Sequence, residues 1–240
     1  MTAIVGIQGN GWALLAADSM TTYDDKPYYA KGQEKIIKKG DYIFAFAGDA
    51  IAGNIATYLW HPPKYIKSIH IDSFMQSKVL PSLREVMADN GYYASKEDKE
   101  SGFDALICLN GVIYECDHDY LWSRDDRNLY AIGSGGAVAL GAIAAGGYTK
   151  SSIKSAEFAA RRAIRISAEY NISVGGDIKV ISQKRKEKPM PKVGNKKFPY
   201  TAKGKAAAKK AAYKMGEKME SKSMKAKEVK MGMKKMGKKK

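Results

Sequence analysis

Six consecutive residues, Trp12–Ala17, carry almost nothing but apolar side chains, and they follow the turn dipeptide Asn10-Gly11. A strand of this kind holds its place only where both of its faces are covered. Residues 3–8, before the turn, are rich in β-forming types as well. The two segments therefore read as an antiparallel hairpin inside a sheet with a layer on either side.

The pattern recurs along the chain. Lys39-Gly40-Asp41 joins residues 35–38 to residues 42–47, and Asn110-Gly111 joins Phe103–Leu109 to Val112–Asp117. Residues 20–32, between the first two hairpins, read as a polar loop. Asp49 stands as N-cap before a helix over 50–60, with Ile51, Ile55 and Leu59 on one face and His61-Pro62-Pro63 as its stop. A second helix covers 72–89, with Pro81 as a break or kink. Residues 130–133 form a short strand leading into Gly133-Ser134-Gly135-Gly136, and an alanine-rich helix follows over 137–145. Residues 151–153 open a further helix, in which Ile153, Ala156, Ala160, Ala163, Ile164 and Ser167 share a face. Gly175-Gly176 precedes a last strand over 178–182. Strand pairs and helix pairs segregate, which predicts an α+β fold: a four-layer αββα sandwich of two antiparallel sheets flanked by helices.

Charge divides the chain in two. The formal net charge is +16, yet residues 183–240 hold 22 Lys and Arg against 4 Asp and Glu, a net of +18, leaving residues 1–182 at −2. Residues 1–182 are expected to form one domain, and 183–240 a basic tail rich in Lys, Ala and Met, disordered when alone. Within the tail, 202–219 reads as a basic helix with Ala208, Ala211, Ala212, Met215 and Met219 on one face; Gly216, Gly232 and Gly237 oppose a longer one. A nearly neutral body lacks the electrostatic footprint of a nucleic-acid-binding domain. Only the tail has the charge to hold a polyanion or an acidic protein partner, and it has few aromatics on which bases could stack. A solvated tail is the alternative.

The first residues show neither a basic n-region nor an apolar run, so no signal peptide is expected. Residues 137–147 are about half as long as a membrane span requires. A cytoplasmic protein without membrane contact is the resulting expectation. Cys108 and Cys116 flank Asn110-Gly111, and the hairpin sets Cys108 opposite Ile113 and Cys116 opposite Ala105. The thiols are not cross-strand partners and are expected to be free.

Few of the usual catalytic groups are present. His61, His70 and His118 stand apart, and His118, in Asp117-His118-Asp119, reads as a solvated surface residue. There is no CxxC, HExxH, P-loop or serine elbow, so no metal or cofactor is expected. The N-terminus offers a different base. Removal of Met1 would leave Thr2 with a free α-amine of ordinary pKa about 8, able to take the proton from its own hydroxyl. Position alone is thin support, since some residue must follow Met1.

The surroundings of Thr2 add to it. Thr2-Ala3-Ile4-Val5-Gly6, Ala16-Ala17-Asp18-Ser19, Glu34-Lys35-Ile36, Phe46-Ala47-Gly48-Asp49-Ala50 and Ala131-Ile132-Gly133-Ser134-Gly135-Gly136 occur in that order. Together they resemble the proteasome β-subunit family, and most closely its HslV-type branch of ring peptidases. The resemblance covers residues 2–182. It implies a threonine endopeptidase acting through a Thr2 acyl-enzyme on protein or peptide substrates, in a homo-oligomeric ring, with no cofactor. By position, Thr2 matches the nucleophile and base, Asp18 the acidic residue ending the second strand, and Lys35 the buried lysine of the next. Lys31 is the fallback for a shifted loop. Gly48 matches the position whose N–H holds the oxyanion, and Ser134 the serine that hydrogen-bonds around the nucleophile's amine. A solvated Lys35, an ordinary turn at Gly48 and a helix N-cap at Ser134 are the structural alternatives.

The pattern has one departure. Proteasome β-subunits carry an Asp and a Ser before the last Gly-Gly; here Asn171 and Val174 stand in those places, with Ser173 off register. The HslV branch also lacks the pair. A silent ring or scaffold subunit is the competing reading. The stretch 191–205 resembles basic tails of small bacteriophage proteins, which implies a phage capsid-maturation protease working in host cytoplasm or virion.

Overall fold

The computed structural model describes residues 2–23, 26–29, 34–92, 102–148, 152–186, 192–198 and 201–215. Two compact units result, Met1–Lys186 and Glu187–Lys240.

In the first unit, β1 (Ile4–Gly9) and β2 (Trp12–Ala17) form the expected hairpin, followed by β3 (Thr21–Tyr23) and β4 (Lys26–Tyr28). Next come β5 (Ile36–Lys39), β6 (Tyr42–Gly48) and helix α1 (Ala50–Tyr58). Helices α2 (Ile71–Phe74) and α3 (Leu80–Asp89) are joined by a π-helical turn, Met75–Val79. Pro81 sits just inside α3. It has no N–H to give, so the widened turn ahead of it is how this helix absorbs the proline. Then follow β7 (Phe103–Leu109), β8 (Val112–Asp117), β9 (Trp122–Ser123), β10 (Leu129–Ile132), α4 (Gly136–Gly146), α5 (Ile153–Tyr170) and β11 (Lys179–Lys184).

Two antiparallel sheets form, ordered β10-β1-β2-β11 and β5-β6-β7-β8-β9. Strand alternation sends Ile4 and Leu15 to one face of the first sheet and Val5 and Leu14 to the other. Ile4 and Leu15 pack with Ala45, Leu106, Cys108 and Ile113 of the second sheet. Val5 and Leu14 pack with Ala139 and Ile143 of α4 and with Ala160 and Ile164 of α5. On the far side of the second sheet, Phe44, Ile107 and Tyr114 pack with Ile55 and with Leu83 and Met87. The result is the predicted αββα sandwich, and the double cover explains why Trp12–Ala17 is buried throughout.

Several local expectations change. The segment read as a polar loop over 20–32 contains the β3–β4 pair, whose register sets Thr21 against Tyr28. The inward face of α1 is Ala52, Ile55 and Ala56, while Ile51 and Leu59 are 59% and 46% exposed. Residues 52, 55 and 56 also share a helical face, and two alanines let the backbone approach the aromatic side of the sheet more closely than two larger side chains would. The last strand runs beyond 182 to Lys184. Gln183 accepts from Gly111 N at 2.8 Å and donates to Asp41 O at 2.6 Å, so it ties two hairpin turns and belongs to the body. Cys108 and Cys116 are buried and free, in the expected register. Burial pushes the Cys116 thiol up to about 12, so it is an inert core residue.

In the second unit, β12 (Lys192–Val193) pairs with β13 (Lys196–Lys197). Residues 202–215 are helical, and Thr201 Oγ1 accepts from Gly204 N at its start. The rest of the expected 202–219 helix lies outside the described residues. Among the described residues no helix is long and apolar enough to cross a membrane.

Candidate active site

Register decides which residues meet at the open end of the first sheet. Pairing of Ile4 with Ala17 sets Thr2 and Ala3 beside Asp18, one residue past β2. Pairing of Ile4 with Ile132 brings the turn after β10 to the same edge. Pairing of Lys179 with Ala17 brings the Gly175-Gly176 turn alongside Ser19 and Met20, whose backbone N–H groups both donate to Gly175 O. Lys35, just before β5, and Gly48, the last residue of β6, come from the second sheet. Thr2, Lys35 and Gly48 line one pocket of about 120 Å³, together with Phe46, Ala50 and Tyr58.

Asp18 is the hub. Its Oδ1 accepts from Ala3 N at 2.9 Å and from Lys35 Nζ at 2.7 Å, and its Oδ2 accepts from Gly175 N at 3.1 Å. The carboxylate side chain is fully buried and the Lys35 side chain is 11% exposed. Lys35 Nζ also donates to Met20 O at 2.5 Å. Lys35 is thus a buried, paired lysine rather than a solvated strand residue. Burial lowers its pKa below the ordinary 10.5, more than Asp18 raises it, so the ammonium is held in place but gives up its proton more readily than in water. Lys31 lies outside the described residues.

Ser134 Oγ accepts from Thr2 N at 3.3 Å, the nitrogen that loss of Met1 would turn into an amine. The N-cap of α4 is Gly135, with no side-chain capping bond, so Ser134 does not act as the helix cap. Gly133, at φ +86°, is required by close approach: a Cβ there would lie 2.3 Å from Thr2 O. Gly48, at φ +95°, is constrained in the same way, with a Cβ falling 2.4 Å from Gly102 O. Asp49 then caps α1, its Oδ1 accepting from Ile51 N at 2.8 Å. Among the described residues no group of three or more His, Cys, Asp or Glu is placed to hold a metal ion.

No protein-family model matches the chain. Nor does any curated protein. Solved structures do. BPH of Thiobacillus denitrificans, a bacterial proteasome homologue, matches with a TM-score of 0.60 at 23% identity, over 78% of this chain and 100% of that one. The same protein in complex with epoxomicin gives a TM-score of 0.59 at 23% identity, with the same coverage. HslV from Trypanosoma brucei gives 0.52 at 17% identity, over 77% of this chain and 100% of the other. This is the proteasome β-subunit and HslV fold.

Within the proteasome-like fold, three residues near Thr2 make contacts that the sequence pattern does not announce. Gly175 and Met20 act through backbone atoms, which no side-chain pattern reveals. Ser167, buried in α5, donates to Gly135 O at 2.9 Å; a lone serine in an alanine stripe gave no signal beyond its face. Asn171 Oδ1 accepts from Ser173 N at 3.0 Å, and Val174 is buried against α4 and α5.

Proposed function

We propose that the chain is an N-terminal threonine peptidase, cleaving peptide bonds through Thr2 after loss of Met1. The observation that carries this reading is the buried Asp18–Lys35 pair, hydrogen-bonded to the backbone of Ala3 next to Thr2. Asp18 keeps an ammonium inside a pocket that Thr2 also lines, and a nearby cation lowers the pKa of an amine and a hydroxyl. In the reaction the Thr2 hydroxyl attacks the substrate carbonyl while the α-amine takes its proton. The Gly48 N–H stabilises the tetrahedral oxyanion. Collapse releases the amine half of the substrate, protonated by the Thr2 ammonium, and leaves an ester on Thr2. Water, deprotonated by the same amine, then attacks the ester and releases the acid half. Ser134, accepting from the Thr2 nitrogen, orients the amine.

The resemblance to ring peptidases extends the proposal to a homo-oligomer. The tail from residue 187 onward, with 19 Lys and Arg against 4 Asp and Glu and so a net charge of +15, is proposed to hold the peptidase on a polyanion or acidic protein, in keeping with a role in phage capsid maturation.

Peptide hydrolysis by the full-length protein tests the catalytic reading. Thr2→Ala should abolish turnover and Thr2→Ser retain part of it. Turnover by Thr2→Ala equal to wild type would overturn the proposal, and no turnover in wild type would favour the silent scaffold subunit.

A further inference from the structure

Ser167 sits three residues from the end of α5, in a stripe otherwise built of Ala156, Ala160, Ala163 and Ile164, and it is fully buried. A serine inside a helix ordinarily turns its hydroxyl back to a carbonyl of the preceding turn or out to water. This one reaches out of its helix to Gly135 O at 2.9 Å. Gly135 O also accepts the first helical N–H of α4, from Ala139 at 3.1 Å, so both of its acceptor positions are used. On the opposite side of the same residue, Gly135 N donates to Thr2 O at 3.1 Å. Ser134, one residue earlier, accepts from Thr2 N. The turn is therefore held between Thr2 on one side and α5 on the other.

The fit is close. A Cβ on Gly135 would lie 2.4 Å from Ser167 Oγ and 2.6 Å from Val174 Cγ2. Val174 faces the same spot but brings only methyl groups, and the Asn171 side-chain oxygen is engaged by Ser173 N. Among the described residues, Ser167 supplies the side-chain donor that reaches this turn from outside.

We propose that Ser167 is a positioning residue: through Gly135 it fixes the turn that presents Ser134 to the Thr2 amine. This rests on the reading of Thr2 as nucleophile. Without the hydroxyl, the Gly135 carbonyl keeps only its helical bond and the turn can relax toward the vacated space. Ser134 then meets the amine in a wider range of geometries. Substrate binding in the pocket of Thr2, Lys35 and Gly48 is untouched, so the loss falls on kcat rather than KM.

The test uses the full-length protein and steady-state peptide hydrolysis, with thermal melting alongside. Four proteins are compared with wild type: Thr2→Ala, Ser167→Ala, Val174→Ser, and the double variant Ser167→Ala/Val174→Ser. Ser167→Ala should lower kcat about tenfold with KM within about twofold. In the double variant the new hydroxyl on the same side of Gly135 should recover most of kcat. Thr2-dependent turnover that Ser167→Ala leaves unchanged overturns this inference alone. So does a loss that merely follows the fraction unfolded, or one the double variant fails to recover while Val174→Ser is itself active and folded. Turnover that does not depend on Thr2 overturns the reading of the site and this inference with it.

Discussion

Replacing Lys35 with Met removes the ammonium from Asp18 while keeping most of the side-chain volume. Removing one partner of a buried ion pair costs roughly 3–5 kcal/mol, because the other charge is stranded. Two features place Lys35→Met near the low end of that range. Asp18 retains two amide donors, Ala3 N at 2.9 Å and Gly175 N at 3.1 Å. Desolvation already outweighs the attraction on the lysine side, since burial lowers the Lys35 pKa more than Asp18 raises it. A loss of about 3 kcal/mol in a domain of this size corresponds to a fall in Tm of about 6–12 °C. Linkage adds a second signature. The folded pKa lies below the ordinary 10.5, so between the two values the unfolded chain binds more protons than the folded one. Stability of wild type relative to Lys35→Met should therefore be constant below the lowered value and rise with pH through the window up to 10.5. Thermal and urea melts of both proteins from neutral pH to about pH 10 measure both effects. A Tm change under about 2 °C, or a difference that shrinks as pH rises, would refute the buried-pair account.

Gly48→Ala should cost about 2 kcal/mol or more, because φ is +95° and the new Cβ would lie 2.4 Å from Gly102 O; urea melts report it, and unchanged stability would mean the turn is not strained. Asp49→Ala removes the acceptor for Ile51 N and should destabilise by about 1 kcal/mol, with Asp49→Asn close to wild type. Binding of the full chain to DNA of unrelated sequences should be equal at matched salt and weaken at least tenfold between about 50 and about 200 mM. Deleting residues 190–240 should abolish that binding while sparing peptide hydrolysis, and DNA binding that survives the deletion would move the polyanion site into the body.

Two of the three hairpins read from the sequence were legible because their turns carry Asn-Gly between apolar runs, and Asn10-Gly11 and Asn110-Gly111 tie register to chemistry directly. Register then carried most of the site: once Ile4 pairs with Ala17 and with Ile132, the neighbours of Thr2 are determined. The β3–β4 pair was not legible, since Lys26, Pro27 and Tyr28 are all exposed and leave no alternation to read. The inward face of α1 was misjudged because hydrophobicity favours Ile51 and Leu59, whereas close packing on an aromatic sheet favours Ala52 and Ala56. Ser167 escaped notice for a related reason: a serine is small enough to fit an alanine stripe, and its role depends on a carbonyl 32 residues away in sequence.

Thr2 is proposed both to become the N-terminal residue and to act as the nucleophile. Intact-mass and peptide-mapping mass spectrometry of the purified protein, before and after exposure to a covalent threonine-protease probe, reads both properties at once. The expected result is a chain beginning at Thr2 and a single adduct on that residue, absent from Thr2→Ala and slowed in Lys35→Met. Retained Met1 throughout the population, or an adduct of equal yield in Thr2→Ala, would contradict it.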